Sequence, residues 1–231
     1  MEDPEKANET LQKLEDRDVR IIYLPPVTVA AARFSGEAEY GVGPEATGMI
    51  EKFVYETELL KLKPDARGMG FDCSRADLRV EAGAAPTAYE AWVSIPEDME
   101  VKPPLVKKTF GGGMYAAHVL RDWSFQDWRL LQEWARESER YEEAGGPCFE
   151  EILNYYNLMN NGAKMEDTQI DLLLPVKEMI KWRMKERVQA FFAFSPENGY
   201  SCRRIYIWNI SNLTYMPGAC DAYFIYGVIL G

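Results

Sequence analysis

Histidine occurs once in these 231 residues, at His118. The four cysteines, Cys73, Cys148, Cys202 and Cys220, include no Cys-x-x-Cys pair. Together these shortages argue against a zinc site and against a histidine-based catalytic triad. Basic residues are outnumbered, with 26 Lys and Arg against 37 Asp and Glu, for a net charge of −11. A nucleic-acid surface needs clustered Lys and Arg to neutralise phosphate, and no such cluster is in view. No apolar run approaches the ~20 residues of a transmembrane helix. The first residues, Met1-Glu2-Asp3-Pro4, are polar and acidic, unlike a signal peptide. The resulting expectation is a cytoplasmic protein with no membrane contact and no direct nucleic-acid binding.

What is present is enough apolar sequence for a core, 47% of residues, in patterns that alternate between strand and helix. Residues 1–18 are charged and read as a leader or linker, with a short helix at 7–14 anchored by Leu11 and Leu14. Residues 19–24 read as a strand, interrupted by Pro25-Pro26 and resumed at 27–34. Gly43-Pro44 opens a helix over 44–60, and strands follow at 67–74 and 89–95. A second series begins with a strand at 105–110, interrupted by Gly111-Gly112-Gly113 and resumed at 114–120. Ser124 reads as the cap of a helix over 124–140. Strands at 148–155 and 168–176 follow, separated by a polar loop at 157–167.

The two series match. Leu24-Pro25-Pro26-Val27-Thr28-Val29-Ala30-Ala31 aligns with Phe110-Gly111-Gly112-Gly113-Met114-Tyr115-Ala116-Ala117, and the same order of elements follows each. One β-α-β-β unit therefore occurs twice. Neither unit buries its sheet face alone. The expected fold is α+β: two β-α-β-β modules with pseudo-twofold symmetry, forming one antiparallel sheet with two helices on one face and a central groove on the other.

Residues 89–96, Tyr-Glu-Ala-Trp-Val-Ser-Ile-Pro, close the first unit. Alternation places Tyr89, Ala91, Val93 and Ile95 on one side and Glu90, Trp92 and Ser94 on the other. The first side is a plain core face. The second sets a carboxylate beside an indole, which suits a flat or cationic organic molecule if it faces the groove.

The segments 19–30, 108–117, 147–154 and 167–176, in this order and spacing, resemble GyrI-like effector-binding domains of bacteria. The resemblance covers about residues 19–178. It implies two SHS2-type modules, a groove lined by aromatics with one acidic residue, and no cofactor. The family includes ligand-binding domains of multidrug-sensing transcription regulators and stand-alone proteins such as the gyrase inhibitor. Some stand-alone members hydrolyse reactive cyclopropane-containing compounds. The family motif Phe-Glu-x-Tyr reads Phe149-Glu150-Glu151-Ile152 here, which makes Glu150 the implied groove carboxylate, with Ile152 in place of the tyrosine. Eighteen leading residues do not hold a helix-turn-helix, so a stand-alone binder is expected.

The candidate ligand-binding residues are Glu150, Glu90, Trp92, Tyr115, Phe71, Met69 and Trp123, with Glu151 an alternative to Glu150. The expected function is to sense or sequester lipophilic compounds, cationic ones included. One alternative is a hydrolase of electrophilic rings with Glu150 positioning water. Another is a gyrase-inhibitor-like role with a protein partner. His118 is expected to be structural, and the glycine run to be a strand bulge, not a phosphate loop. Residues 179–231 extend beyond the resemblance. They read as a basic helix at 177–189 and strands at 204–210 and 222–230, with adding to a sheet edge, covering the groove or forming a homodimer contact as alternative roles.

Overall fold

The computed structural model describes residues 13–80, 83–120, 123–161, 167–180, 204–209 and 212–217. The first unit contains β1 (Arg20–Leu24), β2 (Val27–Ser35), α1 (Val42–Glu56), α2 (Leu59–Leu62), β3 (Gly68–Asp72) and β4 (Ala88–Ser94). It continues with β5 (Val106–Phe110), β6 (Gly113–Val119), α3 (Asp127–Glu137), β7 (Tyr141–Glu143), β8 (Phe149–Ile152), α4 (Tyr155–Asn160) and β9 (Ile170–Glu178). In a second compact unit, β10 (Arg204–Asn209) pairs antiparallel with β11 (Asn212–Pro217). The strand expected at 222–230 and most of the helices at 177–189 and 7–14 lie outside the described residues.

The first unit forms one nine-stranded sheet in the order β1-β6-β9-β8-β3-β4-β2-β5, with β7 joined to the far end of β9. All its pairs are antiparallel. This order is a palindrome of the duplicated modules. β3 and β8 meet at the centre, β4 and β9 flank them, β2 and β6 come next, and β5 and β1 close the ends. The expected α+β architecture of two related modules is the observed one.

The two interrupted strands hold the ends of the sheet together. Leu24 faces Gly113 in the β1–β6 pair, and Val27 faces Phe110 in the β2–β5 pair. The register therefore passes through both interruptions without a slip, and the strands change partners at that point. Pro25 and Pro26 lack the N–H groups that would continue the ladder. Gly112 has φ +78, and a Cβ there would stand 2.4 Å from the Leu24 carbonyl oxygen. Only glycine fits a backbone approach this close. Prolines on one strand and glycines on the other thus let two long strands cross and curl the sheet.

Each module places its helix on the outer face. α1 buries Ala46, Ile50 and Val54 against Ala30, Ala32, Ala91 and Val93. α3 buries Trp128, Leu131 and Trp134 against Ala116, Leu172 and Leu174. The alanines on β2 and β6 let the helices pack close to the sheet. α1 ends at Glu56 because Glu58 turns left-handed, with φ 50. α3 starts later than expected: its cap position is Gln126, which makes no side-chain cap bond. Ser124 serves the preceding turn instead, its carbonyl accepting the Asp127 N–H at 2.9 Å.

Two further readings are corrected. Residues 14–18, expected in a leader or linker, are tied to the second module. Leu14 is fully buried there, and Asp16 accepts the Trp134 indole N–H at 3.0 Å. Across the end of the expected strand at 148–155 and the start of the expected polar loop, α4 forms because Tyr155 and Met159, four residues apart, anchor it to the first module's core. His118 is structural: Nδ1 lies 3.0 Å from the Asp18 carbonyl oxygen and Nε2 3.3 Å from Asp127 Oδ2.

Candidate functional site

The concave face carries a third cluster of buried side chains, drawn from both modules and both ends of the sheet. Phe149 on β8 sits at its centre. Its ring meets Trp92, Phe71, Phe110 and Tyr115 at centroid distances of 5.1, 5.4, 5.4 and 5.8 Å. The Phe71 and Phe110 contacts are edge-on, and Phe71 also meets Trp92 edge-on at 5.2 Å. Aromatic pairs in such geometry contribute about 0.5–1.5 kcal/mol each beyond area burial. The pseudo-twofold seam is thus filled with rings. The expected central groove is displaced to one side.

The open space lies on the first module's side. It is a cavity of about 560 Å³ with Phe71 and Trp92 in its wall and Glu90, Arg33, Lys108 and Cys73 around them. Strand alternation delivers these groups. Trp92 and Glu90 share the inner face of β4, opposite Tyr89, Ala91 and Val93, which face α1. The β2–β4 register sets Arg33 directly across from Glu90, and the β3–β4 register sets Phe71 on its other side.

Glu90 is a buried carboxylate, 4% exposed. Its Oε1 accepts the Trp92 indole N–H at 2.6 Å and the Lys108 ammonium at 2.5 Å. These charge-assisted bonds compensate its removal from water. Burial pushes the Cys73 thiol above its ordinary range, an effect that Glu90 adds to and that Arg33 and Lys108 oppose. Burial, the largest of several influences, pushes the Cys148 thiol up to about 12. Neither thiol is an activated nucleophile.

Of the residues singled out in the sequence, Glu90, Trp92, Phe71, Met69 and Tyr115 all lie in or against this concave cluster. Tyr115 donates to the Pro147 carbonyl at 3.4 Å, and burial raises its phenol strongly. Glu150 does not face the groove. It stands on the opposite side of β8 from Phe149, where Oε2 accepts the Tyr89 hydroxyl at 2.8 Å and Oε1 the Trp128 indole N–H at 3.4 Å. Burial raises its carboxyl, and these two hydrogen bonds partly offset the rise. Glu150 therefore joins the modules under the helices, and a groove role for it, as ligand partner or as water-positioning acid, is not met. Glu151 does share the side of Phe149, but Arg67 closes it with bonds of 2.5 and 2.6 Å. Trp123 is also corrected. It is 37% exposed with φ +56 and touches Phe125, outside the cluster.

The sequence reading missed Phe149, Phe110, Lys108 and Arg33. Phe149 was detectable, since alternation places it opposite Glu150. Lys108 reaches Glu90 from β5, a partner no local pattern announces. Among the described residues there is no group of three or more His, Cys, Asp or Glu able to hold a metal. Among them, too, no helix is long and apolar enough to cross a membrane.

The model of one family, the integron-associated effector-binding proteins (Cass2), matches residues 20–176. Among solved structures, the EcmrR C-terminal domain is similar at 10% identity, covering 70% of this chain and 98% of that one, with a TM-score of 0.49. The integron cassette protein VCH_CASS2 of Vibrio cholerae is similar at 13% identity, covering 70% and 97%, with a TM-score of 0.41. SAV2435, solved bound to tetraphenylphosphonium, is similar at 11% identity, covering 69% and 93%, with a TM-score of 0.41. No curated protein sequence matches the chain.

Proposed function

The chain belongs to the integron-associated effector-binding proteins, and we propose that it senses or sequesters a lipophilic, aromatic small molecule held on the concave face against Phe71 and Trp92. The observation that carries this reading is the cavity of about 560 Å³, open beside two aromatic rings and one buried carboxylate. Its size falls within the usual range for small-molecule sites, roughly 300–1,000 Å³. A flat ligand burying on the order of 100 Å² of apolar surface there gains about 2.5 kcal/mol from that burial. Stacking on the indole adds to this. A cationic ligand would look for Glu90, and reaches it only by displacing Lys108.

A thermal-shift and calorimetric screen of neutral and charged aromatic compounds tests the proposal. Compounds that stabilise the protein are expected to lose about tenfold or more in affinity in Trp92→Ala, in line with a buried aromatic anchor. Trp123→Ala is expected to bind them unchanged. No stabilising compound, or equal binding by Trp92→Ala, would overturn the reading. Mass spectrometry of the recovered compound separates a binder from a hydrolase, because only the latter returns a new product.

A further inference from the structure

The chain is acidic, yet the wall of its cavity is not. Glu90 is the acid that lines it, against Arg33, Arg75 and Lys108. Lys108 is committed to Glu90 at 2.5 Å, and Arg75 lies 3.3 Å from Asp77. Arg33 remains. It is exposed at the cavity edge and takes part in no ion pair among the described residues, directly across the β2–β4 pair from a carboxylate that already serves Lys108 and Trp92. A guanidinium beside two aromatic rings is a planar fork that matches a carboxylate or sulfonate.

Resting on the reading of this cavity as a ligand site, we infer that its preferred ligand is an aromatic organic anion, its ring against Phe71 and Trp92 and its carboxylate or sulfonate on Arg33. An aromatic cation is disfavoured on both counts. It meets the free charge of Arg33, and it must first separate Glu90 from Lys108. A neutral aromatic gains the ring contacts alone.

Three probes sharing one ring test this: naphthalene-2-carboxylate, naphthalene-2-carboxamide and 2-naphthylmethylammonium, titrated calorimetrically into the full chain at low and high salt. The carboxylate is expected to bind about tenfold more tightly than the carboxamide, as a charge-assisted hydrogen bond allows. That advantage should shrink as salt is raised. Arg33→Gln should abolish it by weakening the carboxylate far more than the carboxamide, while Arg33→Lys should restore part of it. Arg33 is exposed, so an unchanged melting temperature for these variants is expected and is checked first. Equal binding of carboxylate and carboxamide, or tightest binding of the ammonium, would overturn the inference and leave the ligand site standing. If none of the three binds, the ligand site itself fails, and the inference with it.

Discussion

The two halves share a strand order and differ in what their concave faces hold. Ala31 faces Trp92 in the first half, where Ala117 faces Leu173 in the second. Two residues along, Glu90 corresponds to Asp171. On the neighbouring strands, Met69 corresponds to Phe149 and Phe71 to Glu151. In the first half, one acid and two rings border open space. In the second, Glu151 and Asp171 face each other and each is closed by an arginine, Glu151 by Arg67 and Asp171 by Arg20 at 2.6 Å. Duplication sets the backbone of both halves. Side-chain choice then closes one half with ion pairs and leaves the other able to accept a ligand.

The sharpest way to break this contrast is to remove the ring that separates the halves. Phe149 is fully buried. Phe149→Ala is expected to cost about 4 kcal/mol in urea unfolding, as large aromatic truncations in cores do. A cost under about 1 kcal/mol would mean that the surrounding rings collapse into the space, and that the seam's packing does not depend on Phe149.

The ion pairs test the closed half against the open one. Glu151 is 6% exposed and gripped by both arms of the Arg67 guanidinium. Arg67→Met strands that carboxylate and is expected to cost about 3 kcal/mol. Lys108 is 42% exposed, and Glu90 keeps its indole bond without it. Lys108→Met leaves that bond in place and is expected to cost less, about 2 kcal/mol, the loss of one charge-assisted hydrogen bond. Equal costs for the two variants, from denaturant unfolding curves, would show that the halves do not differ in how tightly their acids are enclosed.

A third test concerns the seam's outer side. Gly70 on β3 faces Glu150 on β8, and the Tyr89 ring lies over Gly70 to reach that carboxylate. A Cβ on Gly70 would stand 2.4 Å from the Tyr89 hydroxyl. Gly70→Ala is expected to destabilise by about 2 kcal/mol, the cost of overpacking. Gly48 in α1 has nothing within 4 Å of its added Cβ, so Gly48→Ala should stabilise by about 0.5–1 kcal/mol. If both alanines behave alike, Tyr89 is not held over the strand.

The duplication was legible because the chain repeats an interrupted strand ending in Ala-Ala, and Pro-Pro and Gly-Gly are strong local signals. The two-sided character of β4 was legible from alternation. The choice between Glu90 and Glu150 was not. Both faces of β8 are covered, one by Phe149's aromatic neighbours and the other by Tyr89 and Trp128, so neither face is marked by polarity. A family motif pointed to Glu150, and the packing of Tyr89 across Gly70 overrides it. Trp123 read as a groove residue from its place before a helix, but a positive φ turns the chain outward there. Lys108 and Arg33 are bound to the site by pairing between distant strands, information that exists only once the sheet has closed.

The smallest expected effect probes the carboxylate that joins the halves. Glu150 takes one hydrogen bond from the first module, through Tyr89, and one from the second, through Trp128. Burial raises its carboxyl more than these bonds lower it, so the folded protein holds this proton more tightly than the unfolded chain does. By linkage, its contribution to stability falls as pH rises from the ordinary carboxylate range through the raised folded value. Above that window the charged form is buried at a net cost. Glu150→Gln keeps an acceptor for Tyr89 and does not titrate. The variant should therefore match the wild type below the ordinary carboxylate range and become slightly more stable than it towards neutral pH. Urea midpoints measured on both sides of that range decide the matter. A variant less stable than the wild type at neutral pH would mean that the two hydrogen bonds outweigh burial, and that the ionised carboxylate itself fastens one module to the other.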